Sequence, residues 1–153
     1  MMQPRLDYGK VAPDALKAMY AINNYSKHCG LEPSLLELIK IRASQLNHCG
    51  YCLDMHTKDA RILGESEQRL YCLSVWRETP FYSERERSAL ALTEAVTLLP
   101  NGPISDELYE EVRRHFSEVE TVNLVMSIIT INGWNRLSVT FQTLPGSYQP
   151  KAK

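Results

Sequence analysis

No apolar run in this 153-residue chain approaches the roughly 18 residues of a membrane-crossing helix, so no membrane association is expected. Charge of one sign is also missing. Seventeen Lys and Arg against eighteen Asp and Glu leave a net charge of −1, which gives nucleic acid or an anionic membrane nothing to grip. No segment alternates apolar and polar residues as a half-buried strand does. There is no fixed-period repeat, no low-complexity tract and no linker, so residues 1–153 are expected to form one domain. The stretch from Met1 to Asp7 lacks the apolar core of a secretory leader, and a cytoplasmic location is the corresponding expectation.

Helix punctuation is abundant. Pro13 can open a helix carrying Leu16, Met19, Tyr20 and Ile22 that stops near Gly30. Pro33 opens a second through Leu35, Leu36, Ile39, Ala43 and Leu46. A third starts at Cys49 and ends at Gly64, and a short fourth starts at Ser66 and fades toward Thr79 and Pro80. Ser83 with Glu86 and Ser117 with Glu120 form capping boxes, and Ser105 precedes the acidic pair Asp106 and Glu107. The pattern predicts an all-α, single-domain bundle of about six to seven helices with a loose tail after Pro145. The last helix, from Ser117, is apolar on more than one face through Val122, Val125, Met126 and Ile129, so part of it is expected at a subunit interface.

Chemistry concentrates at Cys49-Gly50-Tyr51-Cys52 and His56. On a helix, positions 49, 52 and 56 fall within roughly 60° of one another. A helix N-terminus favours a thiolate, and His56 can accept a proton one turn from Cys52. Glu37 could orient His56 if the second and third helices pack as a hairpin. Such a thiolate can attack a peroxide, become a sulfenic acid and condense with its neighbour to a disulfide. Two other readings stand beside this one: a mixed zinc site of Cys49, Cys52, His56 and a carboxylate, and a non-enzymatic redox sensor or oligomeric binding protein. Cys29 and Cys72 read as buried small hydrophobes, and His28, His48 and His115 as isolated histidines. Trp76, Phe81 and Tyr82 read first as core or interface packing, second as the wall of an apolar pocket. Glu94 reads as a partner of Arg42 or Arg136, or as a solvated acid, and the roles of Asn132, Trp134, Asn135 and Arg136 stay open.

The segment from Glu37 to His56, a glutamate, eleven residues and then C-x-x-C-x-x-x-H, resembles the core of the alkylhydroperoxidase D-like, carboxymuconolactone decarboxylase family. Trp76–Glu78, Arg85–Glu94 and Ile131–Leu137 extend the likeness over about residues 31–141. The resemblance implies an all-helical subunit in symmetric homo-oligomers, trimers or hexamers. It implies a thiol peroxidase acting on hydrogen peroxide or organic hydroperoxides. Carried over by position, Cys52 is the peroxidatic thiol, Cys49 the resolving one, and Glu37 with His56 the proton relay. The helix dipole by itself favours Cys49 as the more acidic thiol, so the order of the two stays open. No bound cofactor or metal is implied beyond the Cys49–Cys52 disulfide and an external dithiol or lipoyl-type reductant. Tyr51 departs from the pattern, since the best-known peroxidase of the family has a histidine directly before its second cysteine. The decarboxylase branch typically lacks the cysteine pair, which argues against lactone decarboxylation.

Overall fold

The computed structural model describes residues 3–150, and every regular element among them is helical. The order is α1 (Tyr8–Val11), α2 (Pro13–Lys27), α3 (Pro33–Leu46), α4 (Gly50–Ile62), α5 (Glu67–Cys72), α6 (Glu84–Thr97), α7 (Asp106–His115) and α8 (Glu118–Phe141). A 3₁₀ segment, Leu73–Glu78, continues α5, and a shorter one, Leu99–Asn101, follows α6. The all-α reading holds, and seven α-helices start where their punctuation places them. Pro13 and Pro33 sit in first turns, and both capping boxes close through Ser83 with Glu86 and Ser117 with Glu120. The eighth, α1, is an addition to the expected set. Its four residues are too few for a periodic signal, and it is held by the Asp7 carboxylate accepting from the Lys10 N–H at 3.2 Å.

Helix α3 is the axis of the molecule and packs against α4, α6 and α8. Leu35, Leu36, Leu38, Ile39 and Ile41 are all buried, so the helix is apolar around most of its circumference, as a central helix must be. One side meets Leu92, Val112, Phe116, Leu124 and Ile128 from α6, α7 and α8. The other meets Leu70, Leu73, Trp76, Tyr82 and Leu90. Trp76 and Tyr82 are therefore core residues, while Phe81 is exposed.

Helix α8 buries the polar Asn123, Ser127, Asn135 and Ser138 along with apolar residues and leaves the apolar Val122 and Ile129 exposed. Two other expectations need correction. Cys29 and Cys72 are half-buried rather than buried: Cys29 edges the main core, and Cys72 accepts from the Gln68 amide at 3.4 Å. The tail after Pro145 has no helix but is fastened. Gly146 N–H donates to Asp54 at 3.0 Å, Lys58 Nζ to the Tyr148 carbonyl at 3.0 Å, and the Tyr148 hydroxyl to Asp59 at 2.7 Å. No helix among the described residues is long and apolar enough to cross a membrane.

Candidate active site

The turn between α3 and α4 builds the site. Asn47 ends α3, His48 adopts a left-handed φ of 53°, and the Cys49 N–H returns to the Ser44 carbonyl at 2.9 Å. This reversal is tight enough that α3 and α4 run antiparallel in contact, which brings Glu37 opposite His56. Cys49 becomes the N-cap of α4, and Cys52 the third residue inside it. Cys49 makes no capping hydrogen bond through its side chain, but its sulfur stands at the positive end of α4. Both thiols are reduced and buried, packed with Ala43 and Ile131 beneath Tyr51 and Trp134.

Charge in the pair is unequal. A hydrogen bond from the Cys52 thiol lowers Cys49 most, burial opposes it, and the Cys52 N–H, Asn135 and Ser138 add to it. The Cys49 thiol comes down to about 6. Cys52 moves the other way, raised by its bond to Cys49, by burial and by the negative charge beside it. The pair therefore carries one thiolate at neutral pH, and the proton lies between the sulfurs. Both sulfurs are enclosed, Cys49 at 2% and Cys52 at 1% exposure, but only one borders a cavity. Cys52 and His56 share the wall of a cavity of about 470 Å³, to which Cys49 does not contribute. Tyr8, Tyr20, Tyr51 and Trp134 also line it, with the Tyr20 and Trp134 rings 5.3 Å apart. The Ser138 hydroxyl, also in the wall, is 3.8 Å from the Cys52 sulfur.

Behind Cys52, His56 Nδ1 lies 2.8 Å from Glu37 Oε2, and Lys40 Nζ donates to Glu37 Oε1 at 2.7 Å. Burial pushes the Glu37 carboxyl up, but the His56 hydrogen bond and the charges of His56 and Lys40 outweigh it and hold it below its ordinary 4.5. An ionised Glu37 keeps the proton of the neutral ring on Nδ1 and leaves Nε2 as the atom available for proton exchange. All four residues singled out from the sequence thus meet at one place.

The zinc reading places its ligands differently from the structure. The donor atoms of Glu37, His56 and Asp59 lie within 4.8 Å of one another, and neither sulfur joins that group. Lys40, His56 and Tyr148 already take carboxylate oxygens of this cluster, so its donor set fits a hydrogen-bond network better than a metal cage. The sequence reading misses Asp59, although it lies three residues after His56 on the same helical face. Asn135, whose role the sequence leaves open, has no exposed surface and bridges the hairpin to α8. It accepts from Asn47 at 2.9 Å and donates to Ser44 at 3.0 Å. Glu94 pairs with Arg42 at 2.7 Å and also takes Trp76 Nε1 at 2.8 Å and Arg77, while Arg136 bonds instead to Asn132.

Residues 13–95 match the model of the carboxymuconolactone decarboxylase family, more than half of the chain. The chain belongs to that family. This member is 48% identical over 138 residues to the uncharacterized protein YdfG of Bacillus subtilis, covering 90% of the chain and 94% of YdfG. Its fold matches the crystal structure of ATU0492 from Agrobacterium tumefaciens, a protein of unknown function named as a candidate AhpD antioxidant-defence protein. That match has a TM-score of 0.92 and 42% identity over 95% of the chain and 100% of ATU0492. The debrominase Bmp8 shares the fold at a TM-score of 0.79 and 20% identity, over 88% of this chain and 73% of Bmp8. The family member described here is thus an AhpD-like helical protein in a group whose folds serve more than one chemistry.

Proposed function

We propose that this protein is a thiol peroxidase that reduces hydrogen peroxide or organic hydroperoxides through Cys52 and Cys49. The observation that carries the reading is the shared cavity wall: the thiol and the imidazole that the chemistry requires face one space, and the second thiol touches the first from behind. The proton between the sulfurs passes to Cys49, which leaves the thiolate on Cys52, the one that borders the cavity. That thiolate attacks the terminal oxygen of the hydroperoxide, the O–O bond breaks, and the departing alkoxide takes a solvent proton relayed through His56 Nε2 to leave as the alcohol. The Cys49 thiol then attacks the Cys52 sulfenic acid, forming the disulfide and releasing water. An external dithiol, of the lipoyl type that the family resemblance implies, reduces the disulfide by exchange and is itself oxidised.

The protein is further read as cytoplasmic and as a homo-oligomer, a trimer or hexamer. The exposed Val119, Val122 and Ile129 of α8 support assembly. Peroxide consumption with a dithiol reductant tests the central reading. Turnover by the native protein and none by Cys52→Ser is the expected result. Reversible oxidation without turnover would instead make the pair a redox switch.

Reductive debromination is the second reading. A cysteine-to-alanine variant of Bmp8 binds 2,3,4-tribromopyrrole, and the aromatic wall of the present cavity suits a flat ring. Bromide release from that compound with dithiol, in the absence of peroxide turnover, would favour it.

A further inference from the structure

The tail beyond α8 sits on the reverse side of the proton relay. Gln142 caps α8 in a left-handed conformation with φ of 55°, and the chain turns back along α4. Thr143 and Leu144 reach the thiol cavity. Gly146 and the Tyr148 carbonyl are then tied to Asp54 and Lys58. These anchors set the half-buried Tyr148 ring so that its hydroxyl donates to Asp59 Oδ1 at 2.7 Å. Asp59 belongs to the cluster with Glu37 and His56 whose donor atoms lie within 4.8 Å. Two carboxylates therefore flank one imidazole, and only Glu37 holds its Nδ1.

We propose that the C-terminal strap sets the proton affinity of His56, with Tyr148 as a positioning residue acting through Asp59. The inference rests on the peroxidase reading only for the use to which His56 is put. A hydroxyl donating to Asp59 spreads its charge and turns an oxygen away from the imidazole, so Glu37 alone orients the ring. Burial, then the bond to Asp59 and the charges of Asp59 and Glu37, raise the Tyr148 hydroxyl above its ordinary 10.0, so it stays protonated and remains a donor at working pH. The titratable groups around His56 are Glu37 from α3, itself paired with Lys40, then Tyr51, Cys52 and Asp59 from α4, and Asp7, Tyr8 and Tyr20 across the cavity. Among them Asp59 is the charge whose strength a single uncharged hydroxyl controls.

The test is a ¹⁵N NMR titration of the His56 ring in the full-length reduced protein, which needs no turnover. Tyr148→Phe leaves the Asp59 charge unshielded and should raise the His56 midpoint by about half a pH unit or more, whereas Asp59→Asn removes that charge and should lower it. Opposite shifts of this kind cannot come from a general loosening of the tail. No shift in either variant, or shifts of the same sign, would overturn the proposal. Failure of peroxide turnover in the native protein would sink the peroxidase reading and leave this result standing.

Discussion

His56 Nδ1 and Glu37 Oε2, nineteen positions apart in sequence, are 2.8 Å apart across the α3–α4 hairpin, in a contact closed on the other side by Lys40. The contact fixes the direction of the imidazole and presents its other nitrogen to the cavity that Cys52 enters.

Removing that carboxylate should slow the reaction without unfolding the protein. Glu37→Gln keeps shape and one acceptor but loses the charge, so kcat with peroxide should fall by about 10²-fold while KM changes little. Steady-state kinetics at pH 7 check this.

Acid should weaken the fold through the same residue. The Glu37 carboxyl titrates below 4.5 in the folded chain and near 4.5 in the unfolded one, so between those values the unfolded state binds more protons. Its stabilising contribution is full above 4.5 and disappears as pH falls through the folded value. Urea unfolding of the native protein and Glu37→Gln from pH 7 to 3 should show the native protein losing more stability over that interval.

The two thiols should titrate as one unit. Thiolate absorbance near 240 nm, taken as the difference from Cys49→Ser, should rise with a midpoint of about 6 and correspond to a single thiolate. Cys52→Ala removes the hydrogen-bond donor and should move the midpoint upward toward the ordinary 9.0. With Cys49→Ser, one equivalent of peroxide should leave a Cys52 sulfenic acid that dimedone captures, detectable by mass spectrometry.

Two polar anchors, the buried Asn135 and the half-buried Glu94, should prove costly to cut. Asn135→Ala strands the Asn47 amide and the Ser44 hydroxyl between the hairpin and α8, for a loss of about 2–4 kcal/mol. Glu94→Ala leaves Arg42 without its partner and Trp76 Nε1 without an acceptor, for about 1–3 kcal/mol at this half-buried site. Thermal unfolding measures both.

Much of this is legible in one dimension because its causes are local. Prolines, serine caps and capping boxes set helix starts through the nearest backbone groups, and seven α-helices begin where those residues stand. The stripe of Cys49, Cys52 and His56 follows from helical pitch, and the placing of Glu37 needs only a hairpin. Helix α1 escapes notice because Asp7 and a single turn carry no periodicity. The centrality of α3 is equally hidden, since a helix buried on all sides and one with a broad apolar face read alike until neighbours are assigned.

What the sequence by itself determined was the inventory of the chemistry: two thiols, an imidazole and a carboxylate at spacings that helices can bring together. Only the tertiary structure decided how they divide the work. The hydrogen bond from the Cys52 thiol places the lower proton affinity on Cys49, while the packing of α2, α4 and α8 gives Cys52 the cavity. It also returned Tyr148 to Asp59, eighty-nine residues away. Charge distribution and access depend on which distant segments exclude water from each atom, and no local spacing encodes that.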